Sequence, residues 1–393
     1  MTETAITPDM ARTLAVLEHL VGLDTVSARP NAAIIAYIEG FLRERGARIT
    51  RIEQGDKAGL YAEIGPPGPG IMLSGHTDVV PAEGQIWTRP PFALTRAGDR
   101  LYGRGTTDMK GYLACMLSAA DMAARASLGE PLKLVFSYDE EIGCVGIQQM
   151  IGRLAPLLGR PRAAFVGEPT EMQVAIGHKG KAAFAVICRG QAGHSSLAPD
   201  FVNALHLAAD FVTALRGMQD DLRQGGARDA AYDIPYSTVH IGRLSGGTAL
   251  NIVPDRADLS FEYRHLAGDR PADMLARIHA AAETISGRYR RLWDGAAIEI
   301  EQVNAYPGLD MAAEAPVVAT ALALAETNRT TKMGFGTEAG VFAGLGIATV
   351  ICGPGSMAGQ GHKPDEYITL DQIAACDRMM ARIVRDLCRI NRP

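Results

Sequence analysis

Apolar residues recur along the chain with two periods, which predict alternating helices and strands in the first 180 residues. Helical spacing is present in "MARTLAVLEHLVGL" and in "MKGYLACMLSAADMAARA". Short apolar runs such as "GIMLSGHTDVV" and "LKLVFSYD" are typical of strands that are buried on both faces. This alternation indicates an α/β fold with a mixed, largely parallel sheet covered by helices.

A different order of elements begins near residue 180. Strand, helix, strand, strand, helix and strand follow one another from "KAAFAVICRG" to "AAIEIEQVNA", which is the ferredoxin-like order. After about residue 305 the α/β pattern resumes with "APVVATALALAETN" and "ATVICGPG". The sequence therefore predicts an α/β domain in two parts, 1–180 and 304–393, interrupted by an inserted α+β domain at 181–303.

Composition limits the classes of partner. With 393 residues, 47% hydrophobic content and a net charge of −5, the chain can form a large core but has no basic character for nucleic acid. It contains no run of about 18 apolar residues and no signal-peptide pattern. Its six cysteines form no C-x-x-C pair, which disfavours disulfides and thiolate zinc sites. We expect a cytoplasmic protein with small-molecule partners and no nucleic-acid or membrane partner.

Five polar clusters follow apolar strands or lie in loops of the α/β part. They are "SGHTDVVP" with His76 and Asp78, "GRGTTDMKG" with Asp108, "SYDEEIGC" with Glu140 and Glu141, "VGEPT" with Glu168, and "GQGHKPDE" with His362. In open α/β sheets the carboxyl ends of the strands line the ligand crevice, so these clusters are expected to converge. Each cluster alone is more typical of a turn or a solvated strand end, but the full set favours one site.

Several carboxylates and two histidines are compatible in one place if divalent metal is bound, because a dication stabilises their anionic forms. Imidazole and carboxylate without thiolate suit zinc, cobalt or manganese in a catalytic site. The spacing in "HTD" makes His76 the candidate ligand and Asp78 the group that orients it. In "DEE", one glutamate is expected to bind metal and the other to hold water.

Two competing sites are disfavoured by their spacing. The segment "GHSSL" has leucine at the last glycine position of a nucleophile elbow. The glycine-rich segment "VICGPGSMAGQG" lacks the G-x-G-x-x-G spacing of a dinucleotide site. The sequence therefore favours neither a serine hydrolase nor a nucleotide-binding protein.

With these clusters in the order given, and with "GHKGK", "GGTALNIVPD" and "GTEAG" between them, the chain resembles the dinuclear zinc aminoacylase and carboxypeptidase superfamily along its whole length. The resemblance implies two divalent ions per subunit, zinc first and cobalt or manganese as alternatives. One ion would be bound by His76 and Glu168 and the other by Glu141 and His362, with Asp108 bridging them. It also implies a cis peptide between Asp108 and Met109.

The same resemblance implies roles for the remaining site residues. Glu140 would be the general acid and base, and the inserted domain would be a lid that forms a homodimer. His194 would stabilise the oxyanion, in dimeric relatives from the neighbouring subunit. The substrate carboxylate would be held by a further group of residues, namely Asn251, Arg264, Gly336 and Thr337.

The implied reaction is metal-dependent hydrolysis of an N-acyl amino acid. The longer motifs "DEEIGC", "GGTALNIVP" and "GTEAG" favour the branch that converts N2-acetyl-L-ornithine to L-ornithine and acetate in arginine biosynthesis. Another N-acyl amino acid, succinyl-diaminopimelate or a dipeptide is the alternative substrate on the same metal site, because scattered residues determine the pocket. A non-catalytic binding protein on this fold is the alternative from another class, and the retained ligands disfavour it.

Overall fold

The computed structural model describes residues 6–389. Its α-helices are α1 (Met10–Val21), α2 (Ala32–Arg43), α3 (Gly111–Arg125), α4 (Val145–Leu158), α5 (Ala204–Gly225), α6 (Pro271–Tyr289), α7 (Pro316–Ala325), α8 (Ala339–Gly344) and α9 (Leu370–Leu387). Its strands are β1 (Arg48–Gln54), β2 (Lys57–Ile64), β3 (Ile71–His76), β4 (Thr95–Ala97), β5 (Arg100–Tyr102), β6 (Leu132–Ser137), β7 (Ala163–Pro169), β8 (Val174–His178), β9 (Gly180–Arg189), β10 (Thr238–Gly246), β11 (Arg256–His265), β12 (Ala297–Tyr306), β13 (Leu309–Asp310), β14 (Thr330–Met333), β15 (Thr349–Gly353) and β16 (Tyr367–Thr369).

The chain forms two compact units. The first contains the described residues up to Gly177, the segment Leu309–Lys332 and the described residues from Thr337 onward. The second contains His178–Gly308 and Met333–Gly336. The sequence-based division at 1–180, 181–303 and 304–393, with its assignment of catalytic and lid roles, remains a prediction.

The first unit is built on a mixed sheet with the strand order β1-β2-β6-β3-β7-β15-β8-β13, and β14 pairs with β8. Its central strands β6, β3, β7 and β15 are parallel, whereas β1, β2 and β8 pair antiparallel with their neighbours. Strands β3, β6 and β7 are buried along their whole length, as expected for strands covered on both faces. The predicted α/β class with a mixed, largely parallel sheet is confirmed.

Helix α3 lies at the centre of this unit. All of its residues from Gly111 to Ala123 are buried, because it packs against the sheet and against α1 and α9. At Gly75 on β3, an added Cβ would lie 2.7 Å from the Leu113 side chain, and at Gly167 on β7 it would lie 2.0 Å from Tyr112. The two glycines thus allow α3 to approach the strand ends next to His76 and Glu168.

The second unit has a four-stranded antiparallel sheet with the order β10-β11-β9-β12. Helices α5 and α6 pack on it, and alternate residues of β9, including Phe184 and Val186, are buried in the shared core. The chain order β9-α5-β10-β11-α6-β12 is the predicted ferredoxin-like order, so that expectation is confirmed.

Long helices of the chain are amphipathic. Helix α5, with 22 residues, buries Leu207, Phe211 and Leu215 along one stripe and has charged residues such as Asp220 and Arg223 elsewhere. Over residues 6–389, no helix combines the length and the apolar character that a membrane crossing requires.

Candidate metal centre

The site begins at the carboxyl end of β3. His76 is the last residue of this strand and is 1% exposed. Its Nδ1 lies 3.0 Å from the carbonyl oxygen of Asp78 and 3.4 Å from Asp78 Oδ1. These contacts orient the ring so that Nε2 faces Asp108 Oδ1 at 3.1 Å and Glu168 Oε1 at 3.8 Å.

Asp78 holds two parts of the site together. Its Oδ1 accepts a hydrogen bond from the backbone N–H of Glu140 at 3.1 Å, and its Oδ2 accepts one from the N–H of Glu141 at 3.3 Å. The Ser27 hydroxyl also donates to Oδ2, at 2.7 Å. Burial by itself raises the pKa of Asp78, but the hydrogen bonds from His76 and Ser27 outweigh it and the pKa is lowered. Asp78 therefore remains an anion that positions both glutamates.

The loop that carries Asp108 is fixed by a buried ion pair. Asp108 lies in an irregular helical turn at Thr106–Lys110, and the Asp108–Met109 peptide is cis, as the resemblance implies. Glu366 Oε1 accepts hydrogen bonds from the N–H groups of Thr107 at 2.9 Å and Asp108 at 3.2 Å. Glu366 Oε2 accepts one from Arg104 Nη1 at 2.7 Å. Both side chains of this pair are 1% exposed, so Glu366 anchors the Asp108 backbone from inside the protein.

The three acids after β6 point to different partners. Asp139, with φ of 53°, accepts hydrogen bonds from the Lys57 ammonium group and from the N–H of Ala28. Glu140 Oε1 lies 3.2 Å from the Cys144 sulfur, and Glu141 Oε2 lies 3.0 Å from His362 Nε2. The tight turn thus separates neighbouring carboxylates that the sequence shows side by side.

Two groups of side chains have the geometry of metal sites. One comprises His76, Asp108 and Glu168, and the other comprises Asp108, Glu141 and His362. Within each group, one candidate ligand atom per residue lies within 4.8 Å of the others. Asp108 belongs to both groups because Oδ1 faces His76 and Oδ2 faces His362, each at 3.1 Å. This arrangement suits two cations that share one carboxylate.

The donors themselves fit divalent metal. Each group has one imidazole and two carboxylates. Imidazole nitrogen is a donor of intermediate hardness and carboxylate oxygen is a hard donor, and zinc, cobalt and manganese accept this combination. Glu168 Oε1 is buried and makes no hydrogen bond in the structure, as is expected of an oxygen that serves a cation. Burial and the nearby Asp108 raise the pKa of Glu168, and the same two causes raise that of Glu141 to about 7. Hydrogen bonds to Asp108 and Glu141 raise the pKa of His362 to about 10.

We expect metal loading to release protons, because the raised pKa values of Glu141 and His362 mean that the metal-free centre holds protons at neutral pH. Ligand groups must lose these protons before they bind a cation. Metal affinity should therefore increase as the pH rises through about 7, where Glu141 loses its proton, and on toward about 10, where His362 does. Calorimetric titration of metal-free protein with zinc, in buffers of different ionisation enthalpy, measures the protons released. An observed enthalpy that does not depend on the buffer would contradict this expectation.

The residues predicted to contact substrate belong to both units. Thr337, in the first unit, is fully buried, and its Oγ1 accepts a hydrogen bond from the N–H of Ala339 at the start of α8. In the second unit, Arg264 Nε donates to Glu262 at 2.7 Å. Gly336 packs against Tyr306, where an added Cβ would lie 2.1 Å from the ring.

His194 and Asn251 are brought together within the second unit. The N–H of Ser195 donates to the Asn251 carbonyl oxygen at 3.0 Å, and a β-bridge joins His194 to Ile252. The N–H of Ser196 donates to His194 Nδ1 at 3.2 Å, which places the proton of the neutral ring on Nε2. His194 therefore presents a donor nitrogen beside the Asn251 loop.

Several residues that hold the site receive no role from the sequence motifs alone. Cys144 and Glu366 lie inside the motifs "DEEIGC" and "GHKPDE". Their position beside predicted site residues therefore indicates that they lie near the site. Arg104 likewise stands in "GRGTTDMKG". Ser27, which donates to Asp78, lies in "DTVSA", where no motif marks it. Its contact depends on the loop between α1 and α2 reaching the end of β3.

Known proteins resemble this chain over almost its full length. The model of Peptidase family M20/M25/M40 matches residues 72–386. A protein of Myxococcus xanthus named acetylornithine deacetylase is 34% identical over 387 residues, which are 95% of this chain and 97% of the relative.

Two solved structures share the fold. A tripeptidase from Staphylococcus aureus has a TM-score of 0.77 and 19% identity, covering 98% of this chain and 100% of that protein. An M20 family metallo-carboxypeptidase from Sulfolobus solfataricus also has a TM-score of 0.77 and 19% identity, covering 95% of this chain and 98% of that one. At this identity, the two structures support the fold alone.

Proposed function

This chain belongs to Peptidase family M20/M25/M40, and from that membership we propose that it removes the acetyl group from N2-acetyl-L-ornithine, giving L-ornithine and acetate. The observation that carries the proposal is the pair of donor groups that share Asp108, with the Glu140 carboxyl on the adjacent turn. The substrate follows the name of the Myxococcus xanthus relative. The enzyme is thus a metal-dependent hydrolase that acts on a linear amide.

The donor groups support a role for two divalent ions. His76 and Glu168 would hold one, Glu141 and His362 the other, and Asp108 both. Zinc is the first choice for these donors, with cobalt or manganese as alternatives. When bound, the ions supply water that is nucleophilic at neutral pH and polarise the amide carbonyl.

Glu140 is the general acid and base of the proposed reaction. Burial raises the pKa of Glu140 well above its ordinary value, and the repulsion of Glu141 adds to this. A carboxyl of this kind can accept a proton from attacking water and deliver it to the departing amine nitrogen. Asp78 keeps Glu140 in place through the backbone N–H of that residue.

The remaining proposed contacts are supplied by residues of the second unit and by Thr337 of the first. The donor nitrogen of His194 is suited to stabilising the oxyanion, and Asn251 and Arg264 to holding the substrate carboxylate. Arg264 is paired with Glu262, so binding substrate would exchange one carboxylate partner for another. Gly336 and the backbone of Thr337 are proposed to complete this contact, because the Thr337 side chain is buried.

A panel of N-acyl amino acids tests the function and its alternatives. Zinc-loaded protein is mixed with N2-acetyl-L-ornithine, succinyl-diaminopimelate, other acetylated amino acids and a dipeptide, and amine release is followed. We expect the highest kcat/KM with N2-acetyl-L-ornithine and loss of activity after chelation. A higher value for another member would move the substrate assignment to that compound. Absence of hydrolysis throughout the panel would disprove the function.

We further propose a homodimer formed through the second unit, in the cytoplasm, serving arginine biosynthesis. The second unit has two strand edges, at β10 and β12, and exposed apolar side chains at Leu244, Leu250 and Ile252. Exposed edges and apolar residues are common at interfaces between chains. Sedimentation equilibrium gives the mass in solution, and a fully active monomer would exclude the dimer.

A further inference from the structure

A thiol lies against the carboxylate that we assign as general acid and base. Cys144 Sγ is 3.2 Å from Glu140 Oε1, and Cys144 is 1% exposed. Burial and then the Glu140 carboxylate raise the pKa of the Cys144 thiol well above its ordinary value. The sulfur is therefore protonated at neutral pH, and it donates a hydrogen bond to Glu140.

The backbone of Cys144 has a conformation that favours glycine. Its φ is 55° and its ψ is 36°, in the left-handed region that residues with a Cβ rarely occupy. Cys144 is also the N-cap residue that precedes α4, and its side chain makes no capping hydrogen bond to that helix. Neither the turn nor the helix explains why a side chain is present at this position.

The turn closes on Glu140 itself. The N–H groups of Gly143 and Cys144 both donate to the Glu140 carbonyl oxygen, at 2.8 and 2.7 Å. The backbone of Glu140 is thus held by Asp78 on one side and by this turn on the other. Among these contacts, the Cys144 thiol is the one that reaches the Glu140 carboxylate, which transfers the proton.

On the premise that Glu140 performs the proton transfer of the proposed function, we propose that Cys144 is a positioning residue that fixes the orientation of the Glu140 carboxylate. The hydrogen bond from the thiol to one oxygen restricts rotation of the Glu140 carboxylate. Because a thiol is a weak hydrogen-bond donor, it does not compete strongly with the proton that this carboxylate has to accept. Orientation of a reacting group is a large part of its effect on rate. Cys144 acts through Glu140 and makes no contact with substrate in this scheme.

Three variants of the full-length, zinc-loaded protein test the proposal, with N2-acetyl-L-ornithine as substrate. Cys144→Ala should lower kcat about tenfold, the effect of one lost hydrogen bond, with KM and metal content unchanged. Cys144→Ser restores a donor and should recover kcat to within about threefold of the wild type. Cys144→Gly should have the same low kcat as Cys144→Ala. It should melt at a higher temperature than Cys144→Ala, because glycine adopts the positive φ at this position without strain.

The control is Cys115→Ala, which removes an equally buried thiol from α3 and should leave kcat unchanged. The positioning role would be overturned if Cys144→Ala had the same kcat as the wild type. It would also be overturned if Cys144→Ser were as slow as Cys144→Ala. If Glu140→Ala is inactive in the same assay, either result leaves the proposed function intact. A wild-type protein that hydrolyses no N-acyl amino acid would overturn the function and this inference together.

Discussion

Replacing Glu140 with alanine is expected to lower kcat by roughly 10²–10⁴-fold while both metal ions stay bound. Glu140 lies outside the two donor groups, so its removal leaves every candidate ligand in place. The proton that we propose Glu140 transfers would then have to pass through bulk water. Metal content per chain and kcat, measured on the same preparation, check this expectation.

Glu141→Ala is the matched comparison, because it changes the neighbouring residue of the same type. Glu141 contacts His362 in the second donor group, so this variant should lose metal and, as a consequence, activity. If Glu140→Ala loses metal as readily, or retains near-normal turnover, the roles assigned to the two residues are wrong.

Asp139 allows a third comparison in the same turn. From the sequence, this residue is equally compatible with a solvated carboxylate and with a supporting role, so Asp139→Asn is expected to affect turnover least. In the structure Asp139 is 7% exposed and bound to Lys57, with each side chain of the pair 10% exposed. Any effect of Asp139→Asn should therefore fall on stability rather than on proton transfer.

Glu366→Gln is expected to lower the free energy of unfolding by roughly 3–5 kcal/mol, since it leaves the buried Arg104 charge without its partner. Glutamine keeps an oxygen that can accept the hydrogen bonds of Thr107 and Asp108. The substitution thus removes the charge and retains the shape. Denaturant unfolding of metal-free protein measures the loss.

The exposed pair Arg189–Glu299 supplies the control, because each of its side chains is 48% exposed. Glu299→Gln should change the free energy of unfolding by no more than about 1 kcal/mol. In the double variant Arg104→Met/Glu366→Gln, the loss should be smaller than the sum of the single losses, because no unpaired charge remains. Additive losses, or a Glu366→Gln protein as stable as the wild type, would contradict the role of this ion pair.

The chemistry of the site was predictable from local sequence. Apolar runs identified β3, β6 and β7 as buried parallel strands, and such strands end at one edge of a sheet. The polar residues that follow those runs, namely His76, the two glutamates of "DEE" and Glu168, were therefore expected to lie near one another, whereas the choice of Glu141 as the ligand came from the family resemblance. The need to neutralise several carboxylates then indicated metal. Each step uses only residue type and position along a strand.

Strand periodicity does not by itself explain the contact between His76 and Asp78. The alternation of a strand was expected to place His76 and Asp78 on one side, but β3 ends at His76. The contact exists because the chain turns after the strand, so that both the carbonyl oxygen and the carboxylate of Asp78 approach Nδ1. Strand periodicity does not extend into such a turn.

By itself, the sequence determined the type of fold, the order of the elements and the kinds of side chain at the strand ends, because these follow from periodic burial and from the chemistry of each residue. Only the tertiary structure decided which atoms meet: Asp108 faces both histidines, and Glu366 reaches Asp108 from 258 positions away. Hydrogen bonds act over about 3 Å, and loop conformation brings such distant residues within that range. The helix and strand periodicity of the sequence does not predict which of these distant residues come into contact.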